Sequence, residues 1–224
     1  MMAIKGSEII EELKTVLSSK TIDAILPPLF FVIINRIVSL DAAAIAAISV
    51  AIIIGIIRLA KKQPWKYALG GLFLVSLASG LSYITKSAAG YFIPAIINSS
   101  ILFVISLTSV IIGKPLAAWA SHLTRGWPIE WFWRKDIKPA YREVTWFWTA
   151  LLLLRLILQL ILYNLGGEGQ LAWINLLLGW PFTITVLILS YVYGIWRLKN
   201  LGGPSVDEFK ENVQPPWEGQ TKGF

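Results

Sequence analysis

Arg155 stands inside an unbroken apolar run covering residues 145–163, roughly 15 Å from its start at the 1.5 Å rise of a helix. A guanidinium keeps its charge there, because its pKa exceeds about 12, and a charge at the middle of a bilayer is costly unless it faces protein or water. No aspartate or glutamate interrupts the apolar runs of this chain except at an edge, as Asp23 does. The acceptors open to Arg155 are therefore carbonyls, amides, hydroxyls, water or a bound anion. Gln159 follows one turn on and shares its face, while Asn98, Ser99, Ser100 and Ser106 sit at comparable depth in another run. These types suit an anion or lipid-headgroup site within a helical bundle, and they equally suit a buried strut that ties two helices. Asn175, Gly179 and Thr183 recur at every fourth position around Pro181. That spacing fits a broken helix lining a polar path as well as an ordinary proline kink. Pro27, Pro28 and Pro94 interrupt two further runs.

Few other groups could do chemistry. The sequence has no cysteine and one histidine, His122, which removes disulfides, thiolate metal sites, thiol nucleophiles and histidine-pair haem or zinc sites. His122 could ligate a pigment or metal alone, but a solvated interfacial side chain is the plainer reading, and no cofactor is expected. Glu130, Asp136 and Glu143 lie in a basic stretch and form none of the spaced motifs of a metalloprotease, a phosphate loop or a nucleophile elbow. The expectation is a protein that is not an enzyme.

Composition places the elements that carry these groups in a membrane. Of 224 residues, 56% are hydrophobic and 15% charged, against about 25% charged in soluble domains. Six apolar runs, at residues 22–40, 42–59, 67–84, 91–112, 145–163 and 171–197, each approach the ~20 residues that a membrane helix takes. Short breaks follow the first, third and fifth, so the spans pair into three hairpins of an all-α integral membrane protein with short interfacial helices. The organisation is then an amphipathic cytoplasmic segment at 1–21, a six-helix membrane domain at 22–198 containing a Trp-rich basic loop at 113–144, and an extended polar tail at 199–224. Glu8, Glu11 and Glu12 precede the first run and argue against a signal peptide. With both termini inside, 17 of the 20 Lys and Arg are cytoplasmic, Lys86 alone is outside, and Arg36 and Arg155 are within spans. Basic residues near span ends stay in the cytoplasm, so the expected location is a bacterial inner membrane or one continuous with it. The net charge of +7 faces anionic headgroups and not nucleic acid.

Ala43, Ala47, Ala51 and Gly55 form a small-residue row at every fourth position of the second run. Such a row lets another helix approach closely where lipid offers no hydrophobic drive, either inside the monomer or at a dimer face. In the basic loop, Trp127, Trp131 and Trp133 beside Arg134 and Lys135 read as an interfacial lipid contact, with indoles in the headgroup layer and cations toward phosphate. The breakers Gly202, Gly203 and Pro204 open the tail, and Pro215 to Trp217 near its end could dock on a partner.

The stretch Gly90-Tyr91-Phe92-Ile93-Pro94-Ala95-Ile96-Ile97-Asn98, then Ser106 to Ser109 and Gly113-Lys114-Pro115-Leu116, together with the run from Arg155 to Tyr163, resembles a family of bacterial six-helix membrane proteins catalogued as domain of unknown function 3159. That family's usual Gly-Arg-Pro turn stands here as Gly113-Lys114-Pro115. The family is loosely similar in style to intracellular septation protein A. The resemblance implies a polytopic bacterial protein without an established reaction. The leading expectation is a scaffold or partner subunit in the envelope or a membrane complex, in contact with lipids, other subunits or a second copy. A small transporter or an anion- or lipid-binding bundle using Arg155 is the alternative, and a membrane enzyme acting on a lipid-phase substrate comes third.

Overall fold

A computed structural model of the chain describes residues 19–224, so the amphipathic segment expected over 1–21 lies almost wholly outside the described residues. The regular elements among the described residues are all helical: α1 (Ser19–Ile37), α2 (Leu40–Ala60), α3 (Trp65–Ile84), a 3-10 turn (Ala88–Phe92), α4 (Ile93–Ile111), α5 (Leu116–Arg125), α6 (Ile129–Phe132), α7 (Lys138–Asn164), α8 (Glu168–Leu177), α9 (Trp180–Leu201) and α10 (Val206–Lys210). Among the described residues five stretches are long and apolar enough to cross a membrane, namely Leu40–Ala60, Trp65–Ile84, Ala88–Ile111, Lys138–Asn164 and Glu168–Leu201, and α1 contributes a shorter apolar stretch, Leu26–Ile37.

Prolines mark where helices begin. Pro64, Pro115 and Pro128 are the N-caps of α3, α5 and α6, and Pro94 and Pro181 are the second residues of α4 and α9. Proline is tolerated in a first turn because that N–H has no intrahelical partner and its fixed φ suits a helix. Pro94 and Pro181 thus start helices where the sequence reading has them interrupting one. The last apolar run is divided just ahead of Pro181, at Leu178 and Gly179. A Cβ on Gly179 would lie 2.6 Å from the Asn175 carbonyl oxygen, so only glycine lets the chain turn this closely.

The chain forms two compact units. The first comprises the described residues to Ile96 together with Gln159–Trp180. Within it α2 packs against both α1 and α3. Ser39 caps α2 by accepting from the Ala42 N–H at 3.2 Å. Ala43 and Ala47 are fully buried against a core holding Phe31, Ala78, Tyr91 and Leu171, with the Phe31 and Tyr91 rings stacked at 4.1 Å. Ala51 is buried on the same row, and Gly55 lies close to the Ala68 methyl. Ala43, Ala47 and Ala51 of the row are therefore covered within the chain, while Gly55 is half-buried at its end. Ile45, Ile53 and Ile56 on the other faces of α2 are exposed. Small residues inside and large apolar ones outside is the arrangement lipid selects, because burial of bulk gains little from an apolar solvent.

The second unit comprises Ile97–Leu158 and Pro181–Phe224. It repeats that inversion, since Ser99 and Ser106 of α4 are buried while Ile101, Val104 and Ile105 are exposed. The buried polar groups serve one another: the Ser106 and Thr149 hydroxyls lie 2.7 Å apart, and Thr145 Oγ1 accepts from the Ala117 N–H at 3.1 Å. Ser109 Oγ accepts from the Leu116 N–H at 3.0 Å, closing the turn at Gly113, whose φ of 75° is a conformation that glycine adopts without strain.

Candidate functional site

The polar residues singled out in the apolar runs end in different surroundings. Gln159 on α7 is fully buried, and its Nε2 donates to Asn175 Oδ1 on α8 at 2.8 Å. Asn175 Nδ2 in turn donates to the Leu171 carbonyl at 2.8 Å. Gln159 Oε1 is buried and has no hydrogen-bond partner. Arg155 is half-buried one turn before Gln159 on α7, whereas Asn98 and Thr183 lie at the surface. The structure therefore joins Gln159 to Asn175 and leaves Asn98 and Thr183 out of any enclosed set. Their positions on the outward faces of α4 and α9 account for this, because depth along a helix does not decide which face a residue occupies.

The Trp-rich segment departs further from expectation. Trp131 is fully buried, its Nε1 donates to the Pro204 carbonyl at 3.0 Å, and its ring meets Phe132 edge-on at 5.1 Å. It cannot touch lipid. Trp127 and Trp133 are half-buried, Trp127 against Trp131 and Trp133 against Trp119. Arg134 forms a bidentate pair with Asp136 at 2.9 and 2.7 Å and lies over the Trp217 ring at 5.1 Å. Of the five residues expected at the lipid interface, Lys135 alone is exposed. The exposed indoles of this unit are instead those of Trp119, Trp146 and Trp196, and Trp65 and Trp173 are exposed in the other. His122 Nδ1 lies 2.6 Å from the Trp127 carbonyl, so this imidazole tethers the turn after α5 and is more than solvated.

The reason is the tail, which folds back where an extended segment was expected. Phe224 stacks on Tyr141 with ring centroids 4.3 Å apart, and its carbonyl accepts from Arg125 Nε at 3.1 Å. A Cβ on Gly194 would overlap the Phe224 ring. Nothing in the spacing of these residues announces that contact. Ser205 and Glu208 do carry a readable signal, because Ser-x-x-Glu is a capping box. Ser205 Oγ accepts from the Glu208 N–H, and Glu208 accepts from the Ser205 N–H at 2.7 Å. The same carboxylate accepts from the N–H groups of Glu218 at 2.7 Å and Gly219 at 3.2 Å. These backbone donors hold the Glu208 carboxyl down at about 2, since hydrogen bonds to the charged form favour it.

Glu208 therefore closes a loop from its own position to Gly219, with residues 211–216 exposed at the tip. Trp217 Nε1 donates to the Val213 carbonyl at 2.9 Å and stiffens the tip from inside. Loops whose ends are pinned this way are compact surface features that commonly carry function. At the edge of the unit, Glu143 accepts from Arg197 Nε and Nη2 at 2.8 and 2.9 Å and from the Tyr193 hydroxyl at 2.6 Å. That cluster fastens α7 to α9. Among the described residues no group of three or more His, Cys, Asp or Glu could hold a metal ion.

No curated protein and no solved structure matches the chain. The model of the family described as protein of unknown function (DUF3159) matches residues 18–198. This covers every stretch long and apolar enough to cross a membrane except the last three residues of the final one, and with it the chain belongs to that family.

Proposed function

We propose that this protein is a polytopic bacterial membrane scaffold or partner subunit that presents the Glu208-closed loop to another component of a membrane complex. In this reading it has six spans in three hairpins, with α1 as the first, and both termini are cytoplasmic in the inner membrane. The distribution of Lys and Arg supports that orientation. The loop carries the proposal: its tip holds Val213, Pro215 and Pro216 in the open while both its ends are fixed by one carboxylate. A preformed tip loses little conformational entropy on docking. Arg155, half-buried on α7, serves as a strut in this reading.

The test is purification from the native membrane in mild detergent, with mass and stoichiometry measured for the parent and for Val213→Asp. The expected result is a complex of fixed composition that Val213→Asp dissolves while tryptophan fluorescence reports an intact fold. A parent that purifies alone, or a complex that survives Val213→Asp, overturns the reading.

A further inference from the structure

We propose that Trp119, Trp146 and Trp196 form an aromatic belt seated in the glycerol layer of a bilayer, with Lys114, Arg142 and Lys199 as a cationic tier further out that binds the phosphates of anionic phospholipid. The three indoles are exposed, and they come from α5, α7 and α9 of the second unit. Hydrogen bonds fix their register. Trp148 Nε1 donates to Ser190 Oγ at 2.8 Å and Arg197 Nε to Glu143 at 2.8 Å, so α7 and α9 run antiparallel with Trp146 between the two ties and Trp196 beside the second. The N–H of Ala117, half a turn ahead of Trp119, is tied to Thr145, the neighbour of Trp146. The three rings therefore fall within about one helical turn of depth, roughly 5 Å.

The surface changes character across that level. On one side the exposed residues are bulky and apolar, as Ile105 of α4, Leu154 of α7 and Leu189 of α9 are. On the other, Arg142 stands one turn beyond Trp146, Lys199 nearly one turn beyond Trp196, and Lys114 just past the end of α4; all three are exposed. The level of Lys114 follows from the same kind of tie, because Ser106 is bonded to Thr149 and Ser109 to the Leu116 N–H. Apolar, aromatic and cationic tiers in that order match acyl chains, glycerol and phosphate. A docked protein would meet a patch, whereas these tiers follow one plane across four helices. Glu143 is the one acidic residue of α4, α5, α7 and α9, and its carboxylate is already engaged by Arg197 and Tyr193. The exposed acids of the unit, Glu130, Asp207, Glu211 and Glu218, lie outside those helices, so the outer tier keeps its positive sign.

The chain has no cysteine, so single cysteines placed in it carry one nitroxide each. Their depth in vesicles of phosphatidylcholine and phosphatidylglycerol is read from collisions with oxygen and with an aqueous nickel chelate. Labels at Trp119→Cys, Trp146→Cys and Trp196→Cys should agree in depth within ~5 Å, with Arg142→Cys and Lys199→Cys ~5 Å further out and Leu154→Cys ~12 Å further in than Trp146→Cys, at the helical rise. Every labelled side chain is exposed, so none of these variants opens the core. Belt labels spread over more than about two turns, ~10 Å, overturn the proposal. So do belt labels reached by neither agent, since another protein chain would then cover them. The cationic tier is tested apart from the indoles with spin-labelled lipids. The parent should hold phosphatidylglycerol over phosphatidylcholine about fivefold, the factor one cation contributes beside an anionic surface, and the combined Lys114→Gln, Arg142→Gln, Lys199→Gln variant should lose that preference. No preference in the parent, or one unchanged in the variant, overturns the proposal as well.

Discussion

Replacing Trp131 by Phe asks whether this indole is an interfacial anchor or the pin that holds the tail. The substitution removes the donor to the Pro204 carbonyl, and both residues are among the largest fully buried side chains. A buried carbonyl left without a donor costs about 1–3 kcal/mol. The smaller ring leaves ~40 Å³ empty, worth ~1 kcal/mol at about 24 cal/mol per Å³. Together these weaken tail docking by about 2–4 kcal/mol, and at 1.4 kcal/mol per factor of ten the undocked population rises by roughly two orders of magnitude. Limited proteolysis in detergent reads that population directly when opening is fast relative to cleavage. Cuts within residues 206–220 should accelerate by that factor in Trp131→Phe and stay at the parent rate in Trp196→Phe, whose indole is exposed. Brominated lipid adds an independent reading, because quenching should be the same in Trp131→Phe as in the parent and should fall in Trp196→Phe. Unchanged tail protection in Trp131→Phe, or a loss of lipid quenching there, would refute the argument.

Glu208 makes the loop acid-sensitive. Its carboxyl is held at about 2 when folded against an ordinary 4.5, so the stabilisation is complete above about 4.5 and is lost as pH falls toward 2. Protection factors for hydrogen exchange at the Glu218 and Gly219 amides, taken against the intrinsic rate at each pH, should fall across that window, and in Glu208→Gln they should be low above it as well. Ala47 is fully buried, so Ala47→Leu should lower stability by about 1–3 kcal/mol through overpacking, measured as a fall in the thermal midpoint; an unchanged midpoint would place the row at lipid. Cysteines at Lys86 and Glu168 should react with an impermeant thiol reagent from outside intact cells and those at Lys62 and Lys138 should not, and reversed labelling would overturn the topology. Gly194→Ala should release Phe224 from Tyr141, seen as lost hydrogen-exchange protection at the Gly223 amide, which donates to the Tyr191 hydroxyl at 3.3 Å, with no change if the ring is held elsewhere.

The helical class and the membrane character were legible in the chain because both rest on local quantities. Run length, apolar content and the placement of Pro64, Pro115 and Pro128 are properties of neighbouring residues, and backbone hydrogen bonding in lipid leaves helices as the answer for such runs. The row at Ala43, Ala47 and Ala51 could be read for the same reason, since spacing on one helix makes a face. Ser205 and Glu208 were legible too, as a short-range cap. The faces of Asn98 and Thr183, the burial of Trp131 and the role of Phe224 depended on partners far away in sequence. An indole surrounded by lysine and arginine has one composition whether it meets headgroups or the underside of a returning tail. Trp131 meets Pro204 across 73 residues, and Arg125 meets Phe224 across 99. No periodicity spans such distances, and only the packed tertiary structure decides which side of the indole is covered.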